Sequence, residues 1–344
     1  MKIRRVDRSL PRWAIPVWLL CLSALAVATR NFEQGGLSVD GPLYALMARS
    51  IARTGEWFYL RGTVPHFIPY ADHPHLGIWI LALVFKVLPP ADWSARIPGM
   101  VFYYGFLFLL FRFLRKQNGI QTAIGAVLVL WTFDRFSSYC SNAYLDPGAL
   151  FFGAASVFFL FDSCAQKKTL LAGLAGLSLA ACAMTKGLTM AGFFPALVWI
   201  ATEAIRKNER GIWKNLGVFI GAAGLLLGGY LLLVRWQVPE MLSTYWFNQW
   251  TNRFSRQWNW AALVSWRFWG SLNRDAHYLL FPTAVLSLWR RPTGTDWLPW
   301  LLLLGFSVLY APADRVGVQY WVLLLPWIAW ARSEERRVGK ECLR

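Results

Sequence analysis

Apolar runs recur along almost the whole chain, and nothing constrains its fold more. They cover residues 13–29, 76–88, 97–114, 120–133, 149–161, 170–184, 188–201, 216–234, 278–289, 297–310 and 320–331. A helix needs about 20 mostly apolar residues to cross a bilayer, so the shorter runs must extend into flanking aromatic or small residues. The 344 residues are 56% hydrophobic and 17% aromatic, only 15% are charged, and the mean hydropathy is +0.38. Few soluble domains have that composition. The expected fold class is all-α: a polytopic transmembrane helical bundle of about ten or eleven spans with a large first external loop.

The first run follows the basic "MKIRRVDRSLPRW" and has no small-residue cleavage site before "NFEQGG", so it reads as a retained span. The cysteines, Cys21, Cys140, Cys164, Cys182 and Cys342, show no CxxC or paired spacing and imply neither a zinc knuckle nor a disulfide framework. A formal net charge of +17 invites a nucleic-acid partner. The basic residues, however, form short clusters between apolar runs, as the positive-inside rule produces, and no nucleic acid is expected.

Lys2, Arg4, Arg5, Arg8 and Arg12 place the N-terminus in the cytoplasm. Arg112, Arg115 and Lys116, then Lys167 and Lys168, then Arg206, Lys207, Arg210 and Lys214, then Arg290 and Arg291 mark further cytoplasmic loops. Residues 30–75 are then external, which in a Gram-negative cell is the periplasmic side. Parity holds only if the 76–88 run, with Lys86 inside it and "LPPADW" after it, lies along or dips into the interface. Residues 134–148 and 235–276 come out external too. The second of these carries Arg235, Arg253, Arg256, Arg267 and Arg274 against the positive-inside trend.

The final "RSEERRVGKECLR" is densely charged and lacks the preceding aromatic texture. Residues 1–331 are expected to form one transmembrane domain. Residues 332–344 read as a non-native charged tail on an interrupted reading frame.

The first external loop gathers the polar residues of interest: Asp40 at the head of a helix-like run, Glu33, Glu56, Asp72, His66, His73, His75, Arg49, Arg53 and Arg61. Asp40 followed by Pro42 fits an N-cap as well as a catalytic carboxylate. A polar cluster at the water face of a membrane bundle is nevertheless a candidate site.

The order of residues resembles the GT-C glycosyltransferases, in the branch of the dolichyl-phosphate-mannose protein mannosyltransferases and the aminoarabinose transferases. The matching residues are Asp40 with Tyr44, Gly55 with Trp57, His73-Pro74 with Leu76 and Trp79, and Ala95-Arg96-Ile97-Pro98. "YLDPGALFF" at 144–152 and "AMTKGL" at 183–188 follow in order. The sequence departs from the family at His75, which stands for the second proline of a pair, at His73, which stands for a frequent lysine, and at Gly41, which replaces a second acid.

The resemblance implies transfer of a sugar, with inversion, from a polyprenyl-phosphate donor to an acceptor lipid, glycan or protein on the external face, among membrane lipids. Under it Asp40 is the general base and Asp146 a second catalytic acid. Tyr44, Arg53, Arg61, His73, His75 and Lys186 bind substrate, the cations facing the phosphate. Asp146 before Pro147 also fits a helix cap, and Lys186 an interfacial snorkelling lysine. No cofactor is implied with certainty; a divalent cation held by Asp40 and the histidines stays open, since their spacing matches no familiar ligand set. The alternative is a transporter or lipid flippase without covalent chemistry, in which ionisable groups would sit at broken spans of paired halves. An inactive remnant is a third reading.

Overall fold

A computed structural model describes residues 36–38, 40–61, 70–207, 211–249, 266–290, 294–310 and 323–341; the 13–29 run, His66, Arg253 and Arg256 lie outside them. Among the described residues the fold is all-α, with no strand. Four helical stretches are long and apolar enough to cross a membrane: Asp92–Asn118, Asp146–Gln166, Thr169–Arg206 and Ile212–Gln237.

In chain order we label α1 (Gly41–Thr54), α2 (Leu76–Val87), α3 (Asp92–Asn118), α4 (Ile120–Trp131), α5 (Asp134–Cys140), α6 (Asp146–Gln166) and α7 (Thr169–Lys186). A 3₁₀ segment, Gly187–Phe193, leads into α8 (Phe194–Arg206). There follow α9 (Ile212–Gln237), α10 (Pro239–Trp246), α11 (Trp266–Asp275), α12 (Leu280–Arg290), α13 (Trp297–Tyr310) and α14 (Leu325–Glu341). The last of these runs unbroken across residue 331, where the composition changes.

Among the described residues two apolar clusters form the core. The larger joins α3, α4, α6, α13 and α14 through aromatic side chains, among them Phe106, Phe113, Phe158, Phe306, Trp327 and Trp330. Phe113 and Phe158 stack with centroids 4.3 Å apart. In lipid such packing gains little from apolar burial, so close van der Waals fit carries it.

The smaller cluster is a cap at one end. In α1, Tyr44, Met47, Ala48 and Ile51 are buried at the i, i+3, i+4, i+7 spacing, and α2 buries Ile78, Leu81, Ala82 and Phe85 at the same spacing. These two stripes face each other, which fixes the rotation of α1 about its axis. At about 1.5 Å per residue, α2 is roughly 18 Å long and too short to cross a hydrocarbon core of about 30 Å.

The bundle has two chemically distinct ends. At one, Lys116 of α3 pairs with Asp162 of α6, while Thr169 donates to Asn215 at 3.1 Å and Asn215 to the Ser163 carbonyl at 3.3 Å. The basic groups Arg112/Arg115/Lys116, Lys167/Lys168 and Arg206/Lys207/Lys214 gather there through the helix connections. At the other end lie Asp40, the 141–146 turn, the end of α7 and the α1–α2 cap.

Candidate active site

Asp40 occupies the N-cap position of α1, yet its side chain makes no capping hydrogen bond. The helix start is served instead by the Asp40 carbonyl, which accepts from Tyr44 N–H at 3.1 Å, and by Pro42, whose missing N–H is no loss there. The half-buried carboxylate is thus not spent on capping.

The chain before Asp40 is held from two sides. Gly36 donates its N–H to Asp92 Oδ2 at 2.8 Å and accepts from Arg96 Nη2 at 2.6 Å. Two residues on, Ser38 Oγ lies 3.0 Å from the Tyr144 hydroxyl and accepts from Asn142 Nδ2 at 2.8 Å. The 140–142 turn presses against α3 at Gly99, where a Cβ would stand 2.8 Å from the Cys140 carbonyl oxygen and 2.5 Å from that of Asn142. Any larger residue at 99 would push this turn outward.

That turn leads into α6 and to Asp146, which is buried in the helix's first turn. Lys186, the last residue of α7 and also buried, donates to Asp146 Oδ1. Tyr144 lies close enough to both aspartates to feel their charges. Burial pushes its hydroxyl up to about 12, the Ser38 hydrogen bond pulls the other way, and the charges of Tyr139, Asp40 and Asp146 each add to the rise. The structure therefore brings Asp40, Tyr144, Asp146 and Lys186 to one place.

Gly187 follows with φ +51, and a side chain there would overlap the Tyr245 hydroxyl. Through it α10 packs onto the end of α7. The π-helical turn after α10 then reaches the first loop: Asn248 donates to Asp72 Oδ1 at 2.9 Å and Gln249 to the Asp72 carbonyl at 2.7 Å. Next to Asp72, His73 sits edge-on to Tyr44, centroids 5.8 Å apart, one helical turn from Asp40.

The other expected site residues are placed elsewhere or otherwise occupied. Thirteen positions of about 1.5 Å rise put Arg53 about 20 Å along α1 from Asp40, on the exposed face. Arg61 forms an exposed pair with Glu56 at 2.9 Å. His75 is fully buried, and both ring nitrogens are engaged: Nε2 donates to the Phe58 carbonyl at 3.0 Å, and Nδ1 accepts from the Tyr230 hydroxyl at 2.7 Å. Desolvation lowers its pKa to about 4, which keeps it neutral, and it lies at the start of α2, outside the spanning helices. Among the described residues no three His, Cys, Asp or Glu side chains come together to hold a metal ion.

Sequence reasoning gave no role to Tyr144, Arg96, Asn248 or Gln249. The first two lie inside quoted motif elements, which was the available signal; the last two carried none.

Residues 72–228 match the family model described as dolichyl-phosphate-mannose-protein mannosyltransferase, a range that includes His73, Asp146 and Lys186 but begins after Asp40. The structure superposes on that of ArnT from Cupriavidus metallidurans bound to undecaprenyl phosphate with a TM-score of 0.76, over 95% of this chain at 16% identity. The fold is that of the GT-C glycosyltransferases. The apo form of the same ArnT gives a TM-score of 0.73. The arabinosyltransferase EmbB from Mycobacterium smegmatis, another GT-C protein, gives 0.62 over 97% of this chain, again at 16% identity. This chain spans 62% of the length of ArnT and 31% of EmbB. No curated protein matches it by sequence.

Proposed function

We propose that this protein is a membrane glycosyltransferase that moves a sugar from a polyprenyl-phosphate carrier to an acceptor hydroxyl at the external face. The observation that carries the reading is the convergence of Asp40, Tyr144, Asp146 and Lys186 at one end of a GT-C fold, opposite the basic clusters. Basic clusters mark the cytoplasmic side, which makes the aspartate end external.

In this reaction the acceptor oxygen attacks the anomeric carbon from the face opposite the phosphate. The bond from that carbon to the phosphate oxygen breaks, the electron pair leaves with polyprenyl phosphate, and the configuration inverts. The phosphate departs without protonation, so one base suffices; Asp40 takes the acceptor's proton. Lys186, held by Asp146, supplies positive charge beside the leaving phosphate. Arg53 and Arg61, given the same task on sequence grounds, are left out of it because α1 carries Arg53 away and Glu56 occupies Arg61.

The test uses the full chain reconstituted in vesicles with undecaprenyl-phosphate sugars radiolabelled in the sugar, supplied with a membrane extract as acceptor. A transferase releases undecaprenyl phosphate and leaves label on a new product. A flippase moves the intact labelled lipid between leaflets with no new product, and that result would replace the reading.

A further inference from the structure

We infer that Arg96 and Asp92 on α3, together with Asn142 and Tyr144 on the α5–α6 turn, are positioning residues that set the place of Asp40 by gripping Gly36 and Ser38. The Ala95-Arg96-Ile97-Pro98 element thereby gains a task that does not require it to touch a substrate. The link to catalysis rests on the reading of Asp40 as the base; the grip itself does not.

The grip is complementary at each point. Asp92 and Arg96 are four residues apart on one helix face, and they take the two ends of residue 36: the carboxylate accepts from its N–H and the guanidinium donates to its C=O. Arg96 is only 3% exposed. A buried guanidinium must have hydrogen-bond partners to offset its lost hydration, and the Gly36 carbonyl at 2.6 Å is one of them. On the opposite flank Ser38 Oγ is shared by Asn142 and Tyr144, and the Ser38 carbonyl accepts from Gly41 N–H at 3.0 Å.

Asp40 follows Ser38 by two residues and opens α1. The rotation of α1 is fixed by its packing on α2, and the grip fixes the chain that enters it. A shift of about 1 Å in a reacting group is enough to cost roughly 100-fold in rate. One helix and one turn are thus used to locate one short segment.

The experiment separates the grip from the chemistry. In the full-length protein in membranes, the rate at which the Leu37→Cys thiol reacts with a maleimide is read by peptide mass spectrometry. The Val87→Cys thiol, on the exposed end of α2, reports general loosening. Adding Arg96→Gln or Asn142→Ala is expected to speed reaction at position 37 at least fivefold and leave position 87 unchanged, with Arg96→Lys intermediate. An unchanged rate at 37 overturns the proposal, and so does an equal rise at both positions, which makes Arg96 a general fold residue. Where transfer is measurable, turnover in Arg96→Gln should fall at least tenfold with the donor KM within twofold. Full turnover in a loosened variant overturns the link to Asp40. Absence of transfer in the parent chain removes the transferase reading and leaves the labelling result standing.

Discussion

Lys186 at the end of α7 donates to Asp146 in the first turn of α6, and both side chains are less than a tenth exposed. Removing one partner of such a pair leaves an uncompensated buried charge, at a cost of about 3–5 kcal/mol. Asp146→Asn and Lys186→Met should each lower the unfolding temperature in detergent by several degrees, and the double variant should recover at least half of the loss. Additive losses would mean that the two residues do not act as a pair.

His75 supplies a pH dependence with a defined sign. Its pKa falls from 6.5 to about 4 in the folded protein, because burial penalises the charged ring. Above pH 6.5 the ring is neutral in both states and contributes no slope. As the pH falls from 6.5 to 4 the unfolded chain takes up the proton first. Stability is then lost, by about 3 kcal/mol once the pH is below the folded value. Unfolding in detergent at a series of pH values should show this slope in the parent protein and lose it in His75→Gln. An identical slope in the two proteins would assign the effect to other groups.

Gly187→Ala tests the junction between α7 and α10. The backbone is in a region that side chains disfavour, and the added Cβ meets the Tyr245 hydroxyl. Strain of this kind costs about 1–3 kcal/mol. Tyr245→Phe in the same chain should restore part of the lost stability, since it removes the overlapping oxygen but not the backbone strain. Failure of the second change to help would place Tyr245 outside the cause.

The orientation of the bundle is checked by thiol labelling in intact cells. Pro90→Cys, between α2 and α3, should react with an impermeant reagent from outside, whereas Lys168→Cys, in the α6–α7 turn, should react only after permeabilisation. The reverse pattern would put the aspartates in the cytoplasm.

How far the sequence was legible follows from which contacts are local. The helix that opens at Asp40 is legible in the sequence, and loop parity together with Lys86 and "LPPADW" puts the 76–88 run at the interface, where the short α2 stands. Asp40, Asp146 and Lys186 stand out in the sequence through the motif elements that hold them, "DGPLY", "YLDPGALFF" and "AMTKGL". Arg53, a candidate cation for the phosphate, lies at the far end of α1 from Asp40, a separation set by the helical rise of the residues between them. The contacts of His75 with Tyr230, Ser38 with Tyr144 and Asp72 with Asn248 join segments from about 100 to 180 positions apart. No period in the sequence encodes which polar side chain meets which across such separations.

A base at position 40 acts through its carboxylate, and one substitution removes that group alone. Asp40→Asn leaves the carbonyl that starts α1 and the Ser38 grip in place, because neither uses the carboxylate. In reconstituted vesicles with a labelled undecaprenyl-phosphate sugar and a competent acceptor extract, transfer should fall by about 10²- to 10⁴-fold. Binding of undecaprenyl phosphate, measured in parallel, should stay within about threefold, a difference of less than 0.7 kcal/mol. Near-parental transfer by Asp40→Asn with intact lipid binding would show that Asp40 is not the base.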